Sequence, residues 1–305
     1  DAGGGAGDIV KISGSNGADT FTAGPTEGLV LTPGYSTRAV GFDVLSTYAR
    51  IGNDKATFTG SSAADTFVGR PTYSNLFGPG FYLGAQEFDE VAVQGTPGDA
   101  DAAYFTDTSG NETFVANPSQ ATMTGEGFKY IANGFPTVFG ITRNGGFDTA
   151  ELTDGPGNDT FDAYPDYATL HGPGFWIQAK YFDEVKAYGT GGGLNTANFF
   201  DSAGNDTFEA SYSETKMLTY RADNYAYDFL VANAYGYNGG VDTAHLHGTA
   251  GNDTFKFYGS ASPTYGRLTA KVASGALYDR VAKAFDNVYA YGEGSGTDLA
   301  YLYDS

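Results

Sequence analysis

The chain has 305 residues with 45 glycines, 23 tyrosines and 23 phenylalanines, and its 36 acidic against 16 basic side chains give a net charge of −20. It contains no cysteine, which excludes a disulfide framework and a thiolate metal site. No run of 18 apolar residues is present for a membrane-spanning helix, and the acidic balance disfavours nucleic acid and anionic membranes, leaving cations and neutral polymers as partners.

Residues 1–7, "DAGGGAG", read as a flexible N-terminal segment left by processing or truncation. From Asp8 onward the chain repeats itself. The threonine of a "GNDTF" motif falls at Thr20, Thr66, Thr113, Thr160, Thr207 and Thr254, so the steps are 66−20 = 46 and then 47 four times (113−66, 160−113, 207−160, 254−207). A second marker, "FDEVKAYG" at 182, recurs from Phe88, Phe229 and Phe285, and a third, "DTAELTDG" at 148, recurs at 101, 195, 242 and 298. Six repeats therefore begin near Asp8, Asp54, Asp101, Asp148, Asn195 and Asp242, and a partial seventh begins at Asp298. No linker separates them, so residues 8–305 read as one continuous array. The sixth is longer, 298−242 = 56 residues, and its extra length is expected as a loop or short helix around "GALYDRVAKAF" at 275–285.

Within a repeat the period is that of strands. "DTAELTD" puts Ala150 and Leu152 on one face and Thr149 and Glu151 on the other. Each repeat reads as about five short strands punctuated by "GPG", "GTGGG" or "SAGN". Identical strands in phase are what a solenoid needs, because each coil then pairs in register with the next. The expectation is an all-β chain, a right-handed parallel β-helix or β-solenoid with about two coils of roughly 23 residues per repeat. The alternative is a β-propeller, whose blades have a similar length.

The pattern "DTAxLxDSxGNDTF…FDxVxAYG" resembles tandem repeats of very large secreted proteins of aquatic bacteria, over nearly the whole chain. That resemblance implies an extracellular or cell-surface, structural setting and no reaction. The "GNDTF" piece is also similar to one nonapeptide of the hemolysin-type calcium-binding repeats. Those stand in immediate succession, whereas here the piece comes once per repeat, which argues against a calcium roll.

The motif has a geometric reading first. Gly157, Gly204 and Gly251 are expected at corners with positive φ. Asn158, Asn205 and Asn252 are expected to cap the corner and stack on one another, with Phe161, Phe208 and Phe255 entering the core. Two further readings use the same letters. Asn111, Asn158, Asn205 and Asn252 each fit a glycosylation acceptor pattern. Asp154, Asp159, Asp201, Asp206 and Asp253 form a candidate acidic column in which calcium would relieve the repulsion of stacked carboxylates.

A catalytic constellation is not legible. His171, His245 and His247 read as surface residues, and carboxylates occur in repeated columns rather than as a unique pair. The chain is therefore expected to be non-enzymatic, an extracellular structural protein of a filament, sheath, biofilm or adhesive surface fibre. It would associate with itself head to tail through Asp8, Ile9, Val10 and Ile12 at one end and Leu299, Ala300 and Leu302 at the other. The alternative is a β-helix that binds or degrades extracellular polysaccharide, using outward tyrosines such as Tyr104 and Tyr301.

Overall fold

The computed structural model describes residues 7–260 and 262–303, so the expectation for residues 1–6 lies outside it. The fold is all-β, with no helix among the described residues, and it is a β-solenoid. The strands follow the repeats, five to each. The first three repeats hold β1 (Ile9–Ser13), β2 (Thr20–Gly24), β3 (Glu27–Leu31), β4 (Ser36–Val40), β5 (Val44–Tyr48), β6 (Lys55–Thr59), β7 (Thr66–Gly69), β8 (Tyr73–Gly78), β9 (Phe81–Gln86), β10 (Glu90–Gln94), β11 (Ala102–Thr106), β12 (Thr113–Asn117), β13 (Gln120–Gly125), β14 (Phe128–Asn133) and β15 (Thr137–Ile141). The later repeats hold β16 (Thr149–Thr153), β17 (Thr160–Ala163), β18 (Tyr167–Gly172), β19 (Phe175–Lys180), β20 (Glu184–Tyr188), β21 (Thr196–Phe200), β22 (Thr207–Ala210), β23 (Glu214–Leu218), β24 (Asp223–Tyr227), β25 (Val231–Tyr235), β26 (Thr243–His247), β27 (Asp253–Tyr258), β28 (Tyr265–Lys271), β29 (Leu277–Lys283), β30 (Asn287–Tyr291) and β31 (Leu299–Tyr303).

The chain divides into two compact units, Asp1–Thr149 with Gly174–Ile177, and Ala150–Pro173 with Gln178–Ser305. In the first unit one sheet runs β1-β5-β9-β8-β7-β11-β15, and the other runs β12-β13-β14-β10-β6-β2-β3-β4. In the second unit one sheet contains β18-β17-β21-β25-β29-β28-β27-β31, and the other runs β30-β26-β22-β23-β24-β20-β16.

The rule is the same in both. The first and fifth strands of a repeat lie in one sheet, and the middle three form an antiparallel meander in the other, as β2-β3-β4 do. A repeat thus visits the two sheets three times, an odd number, and the next repeat starts in the opposite sheet.

That meander corrects the expected coil. Parallel neighbours are 44−9 = 35 residues apart at Ile9↔Val44 and 129−90 = 39 apart at Glu90↔Lys129, well above 23. The pairing is mixed rather than wholly parallel, and the coil has two sides. Parallel pairing between consecutive repeats is what a propeller lacks, which removes that alternative. The sixth repeat does not place its extra residues in a helix. It lengthens the β28–β29 hairpin to strands of seven residues, and "GALYDRVAKAF" supplies β29.

The core lies between the sheets, filled by the inward positions of each strand. Ala150 and Leu152 are buried and Glu151 is exposed. The motif phenylalanines Phe67, Phe114, Phe161 and Phe208 are fully buried, while Phe255 is half-buried. Phe105 packs edge-on against both Phe67 and Phe114, with centroids 5.9 and 6.1 Å apart, so rings from opposite sheets interlock.

Candidate functional site

The corners between strands carry most of the buried polar chemistry, and one contact recurs through them. The backbone amide of the motif acid donates to a carboxylate on the neighbouring coil: Asp19 to Asp54 Oδ1 at 2.6 Å, Asp65 to Asp101 Oδ1 at 2.7 Å, Glu112 to Asp148 Oδ1 at 2.7 Å, and Asp206 to Asp242 Oδ1 at 2.8 Å. Asp54 and Asp242 pass the pattern on, donating to Asp89 and Asp286 at 2.7 and 2.8 Å. A buried amide needs an acceptor, and a carboxylate is the strongest one available. The side-chain acceptor at the start of the repeat, aspartate at Asp54, Asp101, Asp148 and Asp242 and asparagine at Asn195, is therefore there for a structural reason.

Burial raises the cost of ionising these acids. Asp101 is pushed up to about 6 by burial, with the Asp99 carboxyl beside it adding to the rise. Asp242 is pushed up to about 6, first by burial and then by Asp206, Asp201 and Asp286. Asp54, Asp154, Asp206 and Asp253 are also raised, burial being the largest cause in each.

The corner glycines differ from expectation. Gly157, Gly204 and Gly251 do not have positive φ; the left-handed positions are Gly145 and Gly146, Gly192 and Gly193, and Gly239 and Gly240 on the next coil. A Cβ on Gly146, Gly193 or Gly240 would collide with the carbonyl of Gly110, Gly157 or Gly204. The coils close together there because both sides lack side chains.

The asparagines also cap differently. Oδ1 of Asn111, Asn158, Asn205 and Asn252 accepts from the amide of Phe147, Leu194, Val241 and Thr297, at 2.7 to 2.9 Å. Each spans to the next coil rather than stacking on its own kind. In the second unit Asn158 lies on the turn from β16 to β17 and Asn205 on the turn from β21 to β22, which cross between the sheets in opposite directions. Successive motifs therefore alternate between two edges and do not form a single line. All four asparagines are exposed.

The same alternation regroups the five candidate metal-binding aspartates. Asp201 and Asp206 meet Asp242; Asp154 and Asp159 meet Asn195; Asp253 meets Asp298. A further triad that the motif spacing did not flag, Asp107, Glu112 and Asp148, has the same arrangement. In both the Asp107 and the Asp201 triads all three residues are buried, with one ligand oxygen from each inside 4.8 Å of the others.

The position six residues into each repeat separates these corners. It is glycine at Gly14, Gly60 and Gly248, and aspartate at Asp107, Asp154 and Asp201. Asp107 accepts from the amides of Arg143 and Asn144 and from Asn144 Nδ2. Asp201 accepts from the amide and Nδ2 of Asn238. Asp154 accepts from the Gly191 amide and, at 2.6 Å, from Asn195 Nδ2. At the Asp154 corner the amide donor thus comes from the residue that is a carboxylate in the other two.

The remaining chemistry is dispersed. His171 Nε2 lies 3.2 Å from Asp162, His245 Nδ1 2.8 Å from Tyr291 Oη, and His247 Nδ1 2.8 Å from Glu293, while the rings of His245 and His247 both stack on Tyr291. Outward aromatics stack in rows. Tyr104 lies on Phe139 at 4.8 Å and 6°, and Tyr164 on Phe200 at 4.1 Å and 1°. Tyr301 stacks beside Tyr303. An open groove of about 800 Å³ lies in the second unit between the long β28–β29 hairpin and the corners at Ser211–Ser213 and Thr249–Gly251. Arg280, buried beside it, gives its guanidinium to the carbonyls of Leu230, Asp279, Ser211 and Phe229 and to the Tyr278 ring.

The residues expected to join subunits lie on terminal strands. Ile9 is 59% exposed, Asp8, Val10 and Ile12 are half-buried, and Leu299, Ala300 and Leu302 are exposed. Comparison with protein-family models gave no match, and comparison with curated proteins gave none either.

Proposed function

We propose that the chain is a non-enzymatic structural module of an extracellular fibre or surface layer, and that copies associate end to end through their open sheet edges. The supporting observation is the match between two edge strands. The fifth strand of one repeat pairs in parallel with the fourth strand of the next at β5·β9, β10·β14, β20·β24 and β25·β29. Among the described residues β30, a fifth strand, and β4, a fourth strand, each lack that partner. Seating β4 of one copy on β30 of another repeats a pairing already made within both units.

Core-type positions stand uncovered beside it. Ala290 is exposed where its counterparts Ala187 and Ala234 are fully buried, and Leu302 is 73% exposed. An unpaired edge with apolar residues on it is a template for β-addition. Light scattering and electron microscopy at rising concentration test the reading. Ends that join by addition of copies give a mass that grows with concentration, and Ala290→Glu with Leu302→Glu lowers it. A chain that stays monomeric at millimolar concentration overturns it.

A second reading is polysaccharide binding in the groove of the second unit. Its support is the 52% exposed ring of Tyr212 beside the hydroxyls of Ser211, Ser213 and Thr249 and the charges of Lys271 and Glu293. The stacked rows are poorer platforms, because ring faces there cover one another. Calorimetric titration with neutral and uronate polymers, and a search for new chain ends, distinguishes binding from degradation and from neither.

A further inference from the structure

The geometry points to a calcium site at Asp107, Glu112 and Asp148 in the first unit. Their carboxylates meet in a buried corner, with one oxygen from each within 4.8 Å of the others. Such a cluster alone proves little, since acids are frequent at these corners. What separates it from the Asp201 triad is Glu112. Its side chain is 1% exposed, and Oε2 has no hydrogen-bond partner.

The repeat shows where that oxygen faces. At the counterpart residue Asp65, Oδ1 faces Gly78 and Oδ2 faces Gly60. Oδ1 accepts from Ser61 Oγ, and Oδ2 accepts from the Ser61 amide. Glu112 Oε1 faces Gly125, the counterpart of Gly78 (125−78 = 47), and accepts from Thr108 Oγ1. Oε2 is thereby left on the side of Asp107, which stands where Gly60 stood (107−60 = 47). An unpartnered carboxylate oxygen thus faces a second buried carboxylate, with a third beside it. Carboxylates in that arrangement need a cation or a proton between them.

Two other corners act as internal controls. At Asp154 and Asp159 the third residue is Asn195, whose Nδ2 donates to Asp154, so only two carboxylates meet there, although Asp159 Oδ1 is also unpartnered. At Asp206 both oxygens are already taken by the amide and hydroxyl of Ser202. The Asp107 corner has neither device on Glu112 Oε2. All the ligand atoms are oxygens, which suits a hard cation. Calcium–oxygen bonds of about 2.3–2.6 Å bridge ligands up to roughly 5 Å apart.

The test is calorimetric titration of the chelator-stripped full chain with calcium chloride, for the wild type, Asp148→Asn and Glu112→Gln. Asp148→Asn keeps the Oδ1 acceptor that Asn195 supplies at its own corner, and Glu112→Gln keeps the side chain's shape; far-ultraviolet circular dichroism checks that each variant is folded. The expected result is that each folded variant binds one calcium fewer per chain. It also loses the part of the melting-temperature rise that calcium gives the wild type. A wild type that binds no calcium overturns the site, and so do variants that bind as many equivalents as the wild type.

Discussion

The amide of Asp206 donates to Oδ1 of Asp242 at 2.8 Å, although 36 residues separate them, and Asp242 donates onward to Asp286. Acids that would repel one another across the coils are joined through their backbones instead. Each carboxylate satisfies a buried donor on the coil before it, and this makes the acids structural.

Asp54 tests that role in the first unit. Asp54→Ala leaves the buried Asp19 amide without an acceptor, and the expected loss is about 1–3 kcal/mol in urea unfolding. Asp54→Asn keeps an acceptor oxygen and removes a charge whose ionisation burial disfavours, so its loss should be well under 1 kcal/mol on the same scale. Equal losses for the two variants would show that charge, not acceptance, is what matters.

The raised acids set a pH dependence opposite to the usual one. Asp101 and Asp242 sit near 6 in the folded chain against 3.8 in the reference state, so the folded state holds their protons more tightly. Their ionisation opposes folding. The penalty is absent below about pH 4, grows from 4 to 6, and is complete above 6. Melting temperature in calcium-free buffer should therefore rise as pH is lowered from 7 to 5, and Asp242→Asn should flatten that rise. A melting temperature that falls over this interval would contradict both shifts.

One backbone position is left-handed in every repeat, whatever residue stands there. The residue before the marker phenylalanine is Gly41, Glu87, Gly134, Tyr181, Asp228 and Ala284, with φ between 60° and 78°. Side chains with a Cβ lose about 1 kcal/mol in that conformation. Ala284→Gly should recover about that much stability in denaturant unfolding, and Gly134→Ala should lose it. No change in either variant would mean that the corner relaxes when substituted.

A stronger effect is expected at Gly240. Its φ is 104°, and an added methyl would meet the Gly204 carbonyl of the adjacent coil. Gly240→Ala should cost more than 2 kcal/mol, since strain and collision act together. Gly239→Ala, with a similar φ of 98° and open space around it, isolates the strain alone. Equal losses would refute the close approach.

The strands were legible because the sequence alternates with period two and repeats at 47, a pattern that by itself assigns Ala150, Leu152 and Phe161 to the core. The coil was not, because nothing in "YATLHGPGFWIQAK" says that β18 turns back on β17 instead of passing to the other sheet. That one hairpin lengthens the coil to at least 35 residues and changes which corners are neighbours. It is why Asp159, Asp206 and Asp253 looked like a column, and why Asp107, Glu112 and Asp148 went unnoticed. The change from Gly60 to Asp107 at one repeat position was visible, and it was the available signal for the acidic corners. The hairpin in "GALYDRVAKAF" was missed because its length suits a helix as well as a strand, and the pairing of β29 with both β25 and β28 decides it.

The odd number of sheet crossings has a consequence for how such a chain can change length. Deleting or duplicating one repeat would send every later strand into the opposite sheet and exchange the left and right edges for all that follows. A surface feature on one side would reappear on the other. Only insertions of two repeats leave the downstream faces where they were, so a lineage of these arrays that keeps a one-sided binding surface should vary in length by even numbers of repeats.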